Sequence, residues 1–315
     1  MTVVSACKFS RNHGAIVSDE RGSDADDKNY DIYQKLYELK AGKKLFLIIG
    51  WCCSDGDLIY DATIQAHDAV KKKQAAISDG RSLLNGVAKV LMDAKQVAVD
   101  RYLKSKFGLE HKYFQMGKFP GENGALSDID ESFFELYKID RKSGKLKEIL
   151  DSEALVLVQD KTLNLFHITE HTHPRLVESR YECVGSGAPE ADSVMYAFFK
   201  TMSRDTWDRI NPLRGLGALV NSVGTACDRI NSVGGTPYIK IVKNGQIITP
   251  SEENSHLASE IVAGGAQRHL PQSFVDKAID DLLYNAADSQ TVEDEMWKRA
   301  KNVRTFSRFL RDYRV

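Results

Sequence analysis

The sequence predicts an α+β protein built from two sheets flanked by helix pairs. The opening fifty residues hold four strand-like runs before any helical pattern. Apolar residues at helical spacing then come in two pairs of segments, 58–73 with 81–104 and 191–202 with 216–230. Strand-like runs stand between those pairs and after the second, so the order is strands, two helices, strands, two helices, strands.

"TVVSACKF" reads as a strand, "SRNHG" as its turn and "AIVSD" as the return strand. Termini fray unless something ties them down, so apolar Val3, Val4, Ala6 and Phe9 mark the start of the chain as buried structure. An acidic loop, "ERGSDADDKNYD", leads into "KLYELKAGKKLFLIIG", a short strand, a turn and a strongly apolar strand over 45–49. In the helix of 81–104, Leu83, Val87, Val90, Leu91, Ala94 and Val97 lie on one stripe. Residues 106–150 are polar and rich in turn signals, and are read as an insertion between core elements. "ALVLVQD", "LNLFHITE" and "RYECVG" return to strand chemistry, and "PYIKIVKNGQIITP" reads as a hairpin turning on Asn-Gly. The expected core is therefore 1–249. A helical C-terminal extension over 250–315 follows, with a polar start, "SEENSHLASE", and amphipathic helices over 272–284 and 292–313. Thr291 and Asp294 resemble a capping box for the last helix.

A chain of 315 residues with 42% apolar residues can bury a sizeable core, and a net charge of −1 gives no global field for nucleic acid or a membrane surface. No apolar run approaches the ~20 residues that span a bilayer, and the N-terminus lacks a signal peptide's pattern. Five cysteines, of which Cys52 and Cys53 adjoin, make neither a disulfide framework nor a CxxC metal site. Reduced thiols and a cytoplasmic location are expected, with no cofactor or metal.

The chemistry starts at Thr2. Threonine is small enough for the initiator Met to be removed, which leaves a free α-amine beside a hydroxyl. That amine, with a pKa near ~8, can take the proton from the hydroxyl of its own residue. Asp19 and Arg21 end the second strand, and a short hairpin returns that end to the start of the first. Lys35 opens the next strand, and Gly50 ends the apolar one. Glycine there allows close approach of a substrate to a backbone N–H. Gly185-Ser186-Gly187 joins a strand to a helix, and would place Ser186 where strand ends converge.

Together these residues resemble a proteasome-type beta subunit or the bacterial HslV peptidase, members of the N-terminal nucleophile (Ntn) hydrolases. The ordered set is Thr2, Asp19-Glu20-Arg21, Lys35, Gly50 and Gly185-Ser186-Gly187, spread over roughly 2–245. The resemblance implies a four-layer αββα sandwich, with Thr2 as nucleophile and its amine as general base. It also implies that Lys35, held by Asp19, eases ionisation of the hydroxyl, that the Gly50 N–H forms an oxyanion hole, and that Ser186 bonds near the amine. The family's last polar pair maps onto Asp228 and Ser232 in "CDRINSVGG", with one residue too many between them and Val233 where a Ser is expected. Trp51, after the glycine, is expected to crowd the specificity pocket. The implied activity is threonine-type hydrolysis of a peptide or protein amide. The family's rings imply a homo-oligomer, with a partner ATPase unassigned and no nucleic acid or membrane partner. A non-catalytic subunit and an acyl transferase on the same fold are the alternatives.

Other signals read more cheaply as structure. His167, His171 and His173 could bind zinc, yet only Glu170 stands beside them, so a polar surface segment is preferred. "SDADD" lacks calcium-loop spacing, and "GSGAPE" lacks the residues of a phosphate loop. Cys52 and Cys53 have no nearby histidine in sequence, and read as a buried strand end.

Overall fold

Strand β1 (Val4–Ser10) and strand β2 (His13–Ser18) form the predicted hairpin. In the computed structural model, residues 2–23, 29–30, 34–42, 44–53, 56–73, 77–121, 125–169, 173–202, 210–230 and 233–313 are described. β1 also pairs with β12 (Tyr181–Val184), and β2 pairs with β13 (Tyr238–Lys243), whose own hairpin partner is β14 (Gln246–Ile248). The turn of that hairpin is Asn244-Gly245, at φ of 53° and 77°, which is the left-handed backbone an Asn-Gly pair is suited to.

A second five-stranded sheet runs in the order β11-β10-β9-β6-β5. Its members are β5 (Leu36–Lys40), β6 (Phe46–Cys52), β9 (Glu153–Gln159), β10 (Leu163–Ile168) and β11 (Pro174–Leu176). Every described pairing in both sheets is antiparallel. Small ribbons join β3 (Gly22–Ser23) to β4 (Asn29–Tyr30) and β7 (Lys118–Pro120) to β8 (Leu126–Asp128).

Strand parity explains why the central strands β2, β6 and β9 are buried almost throughout. Side chains alternate across a strand, and here both faces are covered. Val4, Ala6 and Ile16 of the first sheet meet Phe46, Ile48, Leu155 and Leu157 of the second in one cluster. On the outer face of the first sheet, Val3, Phe9 and Val17 pack with α6 (Ala188–Lys200) and α7 (Pro212–Arg229). On the outer face of the second, Leu47, Ile49, Trp51 and Val156 pack with α1 (Gly56–Lys73) and α2 (Gly80–Phe107). α2 starts at a capping box made by Asp79 and Ser82 and stops at Gly108, at φ 73°.

The stretch read as a polar insertion is largely helical. It forms α3 (His111–Met116), α4 (Glu131–Ser143) and α5 (Lys145–Leu150), and sends Phe114, Tyr137, Leu146 and Ile149 into the cluster beneath α2. "SEENSHLASE" opens a helix that the polar reading missed, α8 (Glu252–Ala266), capped by Ser251. Its buried face mixes Leu257 and Ile261 with Ala258, Ser255 and Ser259, so its hydropathy is diluted.

The long helix expected over 292–313 is two helices, α10 (Ser289–Arg299) and α11 (Val303–Tyr313). Ala300 is extended, at ψ 124°, the Lys301 N–H donates to the His269 carbonyl at 3.0 Å, and the Asn302 side chain caps the Thr305 N–H at 3.0 Å. The cap of α10 is Asp288, whose carboxylate accepts from the Thr291 N–H at 2.9 Å, so Thr291 is the third helical residue and not the cap. α9 (Gln272–Ile279) passes into a π-helical turn over Asp280–Tyr284. Leu257, Phe274, Met296 and Phe306 from these C-terminal helices share the cluster of α7 and β1. Among the described residues no helix is long and apolar enough to cross a membrane.

Candidate active site

The β1–β2 register sets Val4 opposite Ser18, which brings the residues just outside the hairpin, Thr2 and Asp19, together. The Asp19 carboxylate is fully buried and takes four hydrogen bonds from the described residues. Its Oδ1 accepts from Thr2 Oγ1 at 2.7 Å, Lys35 Nζ at 2.7 Å and the Val3 N–H at 2.9 Å, and its Oδ2 accepts from the Gly234 N–H at 3.3 Å. Lys35, 4% exposed, stands just before β5 and also donates to the Arg21 carbonyl at 2.7 Å. One carboxylate oxygen thus touches both the hydroxyl and the ammonium.

Ser186 lies on the other side of Thr2. The Thr2 N–H donates to Ser186 Oγ at 3.1 Å, and the Ser186 hydroxyl reaches the Thr2 carbonyl at 3.3 Å. The Gly187 N–H donates to the same carbonyl at 3.2 Å. Gly185, at φ 95°, has a reason to be glycine, since a Cβ would stand 2.3 Å from the Thr2 carbonyl oxygen and 2.3 Å from Cys52 Sγ. The structure therefore brings Thr2, Asp19, Lys35 and Ser186 into one contact network.

Gly50 is placed differently from the expectation. It pairs with Leu36 on one side and Leu155 on the other, inside β6. The Trp51 N–H bonds the Lys35 carbonyl at 3.0 Å, and ladder alternation then turns the Gly50 N–H toward Leu155. Its missing Cβ lets the two sheets close, because a methyl would meet Val4 Cγ1 at 2.5 Å and Ile16 Cδ1 at 2.9 Å. Trp51, expected to crowd a specificity pocket, points the other way. It is 1% exposed beneath α1 and α2, since strand parity gives it the helical face.

Asp228 stands in the last turn of α7, and the contacts that join Thr2, Asp19 and Lys35 do not include it. Burial pushes its carboxyl up to about 6 against the opposing charge of Arg229. Ser232, Glu170, His171 and the acidic run 24–27 lie outside the described residues. Val233 is fully buried in the cluster of α7.

Two features escaped the sequence reading. Gly234 supplies one N–H to Asp19, and its carbonyl receives the Glu20 and Arg21 N–H groups at 3.1 and 2.9 Å, while the Arg21 guanidinium fills the space a Cβ would need. The Gly-Gly pair at 234–235 was its only local signal. The second is a charged network that crosses between the sheets. His167 Nε2 lies 2.8 Å from Glu153, and its Nδ1 lies 3.6 Å from Glu182, which also takes Arg175 at 3.2 Å. The other Glu153 oxygen accepts the Gly185 N–H at 3.1 Å, tying the network to the turn beneath Thr2. Burial disfavours the imidazolium, but the two carboxylates outweigh it and push His167 up to about 9. His167 is thus held inward by carboxylates.

Burial, followed by the charge of Glu153, pushes the Cys52 thiol well above its ordinary range, despite the opposing charge of Lys35. Among the described residues no group of three or more His, Cys, Asp or Glu side chains could hold a metal ion.

The fold is that of an α+β protein with two antiparallel sheets packed face to face. Among the solved structures it resembles is Anbu (ancestral beta-subunit) from Yersinia bercovieri, with a TM-score of 0.57 at 11% identity over 84% of this chain and 93% of that one. An Anbu (Gly-1) mutant from Hyphomicrobium sp. strain MC1 matches with a TM-score of 0.55 at 10% identity over 85% of this chain and 97% of that one. At such identity the likeness is one of fold. No family model and no curated protein matches the chain. The membership read from the motifs, in the proteasome beta subunits and HslV, is corrected accordingly. Each motif is only one to three residues, and at strand ends hairpin and turn geometry alone favour Gly, Asp and Ser.

Proposed function

We propose that the chain hydrolyses a peptide amide bond, with Thr2, freed by removal of Met1, as the nucleophile. The observation that supports this reading is the shared Asp19 oxygen, 2.7 Å from both Thr2 Oγ1 and Lys35 Nζ in a buried setting. The freed amine takes the hydroxyl proton as Oγ1 attacks the substrate carbonyl carbon. The Lys35 charge favours the developing alkoxide, and Asp19 fixes both groups. The carbon–nitrogen bond breaks as the amine passes its proton to the leaving nitrogen. Water then attacks the ester carbonyl, giving a proton to the same amine, which passes it to Oγ1 as the acyl carbon–Oγ1 bond breaks and Thr2 is regenerated. Ser186, at 3.1 Å from the Thr2 nitrogen, orients that amine.

On this reading the packed sheets and their helical covers form a four-layer αββα sandwich over 1–249, with 106–150 added to it and a helical extension over 250–315. A second reading, a non-catalytic chain on the same fold, draws on the 4% exposure of Thr2 in the chain that still carries Met1. Peptide-library hydrolysis by the processed protein separates the two. Hydrolysis that vanishes in Thr2→Ala and persists in Thr2→Ser supports the nucleophile. Hydrolysis unchanged in Thr2→Ala, or absent from the processed wild type, overturns it.

A further inference from the structure

A cavity of about 580 Å³ opens where the outer face of the β1–β2 hairpin meets the start of α7 and the π-helical turn over Asp280–Tyr284. That volume is in the range of small-molecule sites. Strand alternation builds one wall. Ala15, Val17, Ile239 and Ile241 face the helices, so His13 on β2 and Lys243, its ladder partner on β13, come up on the same face, beside Phe9 of β1. Seven residue steps separate Phe9 from Thr2, about 23 Å at the rise of a strand, so the cavity lies apart from the candidate active site.

The rings of this wall hold one another. Phe9 and His13 meet edge to face with centroids 5.3 Å apart, as do His13 and Tyr284 at 5.6 Å. His13 Nε2 lies 2.9 Å from the Tyr284 hydroxyl, within hydrogen-bond distance. The π turn that carries Tyr284 is closed by the Asn285 N–H, which donates to the Asp280 carbonyl at 3.1 Å. Such turns occur often at functional sites. Pro212 and Leu213, half-buried at the start of α7, add aliphatic surface.

Two opposite charges stand beside the Tyr284 ring. Lys243 Nζ lies 4.8 Å from its centroid. Asp280 also lines the cavity, and burial, then the Asp280 charge, pushes the Tyr284 phenol up. Among the described residues no ion pair joins Lys243 to Asp280. Burial, then the charge of Lys243, pushes His13 down to about 4, so its imidazole is neutral near pH 7. The described lining therefore offers one cation and one anion around an aromatic and aliphatic wall.

We propose that this cavity binds a free α-amino acid with a large apolar side chain. Lys243 takes the carboxylate, Asp280 takes the ammonium, and Tyr284, Pro212 and Leu213 cover the side chain. A ligand with one charge alone leaves the other lining charge unmatched, and a longer peptide carries its two terminal charges far apart. The assignment is independent of any reaction at Thr2.

Isothermal titration of the full chain with L-phenylalanine tests it. One saturable site is expected. Lys243→Gln and Asp280→Asn each weaken it by about tenfold or more, as loss of a charged hydrogen bond requires. The wild type carries the same test without any substitution. Hydrocinnamate, which lacks the ammonium, and phenethylamine, which lacks the carboxylate, each bind at least about tenfold more weakly than L-phenylalanine. Asp280→Asn does not weaken hydrocinnamate binding, because that probe has no ammonium to lose. Lys200→Gln, on α6 outside the cavity, leaves L-phenylalanine binding unchanged. Absence of saturable binding, an affinity untouched by Lys243→Gln or by Asp280→Asn, or either single-charge probe binding as tightly as L-phenylalanine overturns the proposal.

Discussion

Breaking the Asp19–Lys35 pair one partner at a time should give unequal costs. Asp19→Asn removes the charge opposite Lys35, which is then left with neutral oxygen acceptors, the Arg21 carbonyl among them. A buried ion stripped of its partner costs about 3–5 kcal/mol, so a loss near 4 kcal/mol is expected. Lys35→Met leaves Asp19 its bonds from Thr2, Val3 and Gly234, so the cost falls near 3 kcal/mol, at the lower end of that range. Were the sites independent, the double variant would lose ~7 kcal/mol; sharing one contact, it should lose ~4–5 kcal/mol, a coupling of ~2–3 kcal/mol. Urea unfolding followed by circular dichroism measures all four proteins, provided that the slope with denaturant stays constant. Additive losses, or a Lys35→Met variant less stable than Asp19→Asn, would refute the geometry on which the site rests.

Gly50→Ala should lower stability by about 1–3 kcal/mol, because its methyl meets Val4 and Ile16 side chains between the sheets. Gly185→Ala should cost more, since its methyl meets the Thr2 carbonyl oxygen and the φ of 95° disfavours any Cβ; paired thermal melts rank the two. His167 is raised to about 9, above its unfolded value of 6.5, so its contribution is complete below pH 6.5 and is lost as pH rises through about 9. Melting temperatures of the wild type and His167→Gln, measured from pH 6 to pH 10, should converge at the alkaline end, and a constant gap would exclude the paired imidazolium.

The core strands β1, β2, β6 and β9 were legible because they carry apolar residues on both faces and are bounded by turn residues. That same property hid their parity. With Phe46 through Cys52 apolar throughout, nothing local says that Gly50 faces the other sheet and Trp51 the helices. α8 was illegible because serine and alanine carry much of its buried face, and the break before α11 because Asn302 caps a helix without a glycine or proline to announce it. Thr2, Asp19 and Lys35 were found because a tight hairpin and its neighbour converge by simple geometry. Gly234 lies 215 residues from Asp19, and the Glu153–His167–Glu182 network bridges the two sheets, so only tertiary packing assembles them.

Intact-mass and peptide mapping of the purified protein, after brief exposure to an activated peptide ester, tests the central claim directly. Loss of Met1 together with an acyl group carried on the Thr2 hydroxyl is the predicted result. A chain that retains Met1, or a processed chain acylated elsewhere and never at Thr2, would contradict it.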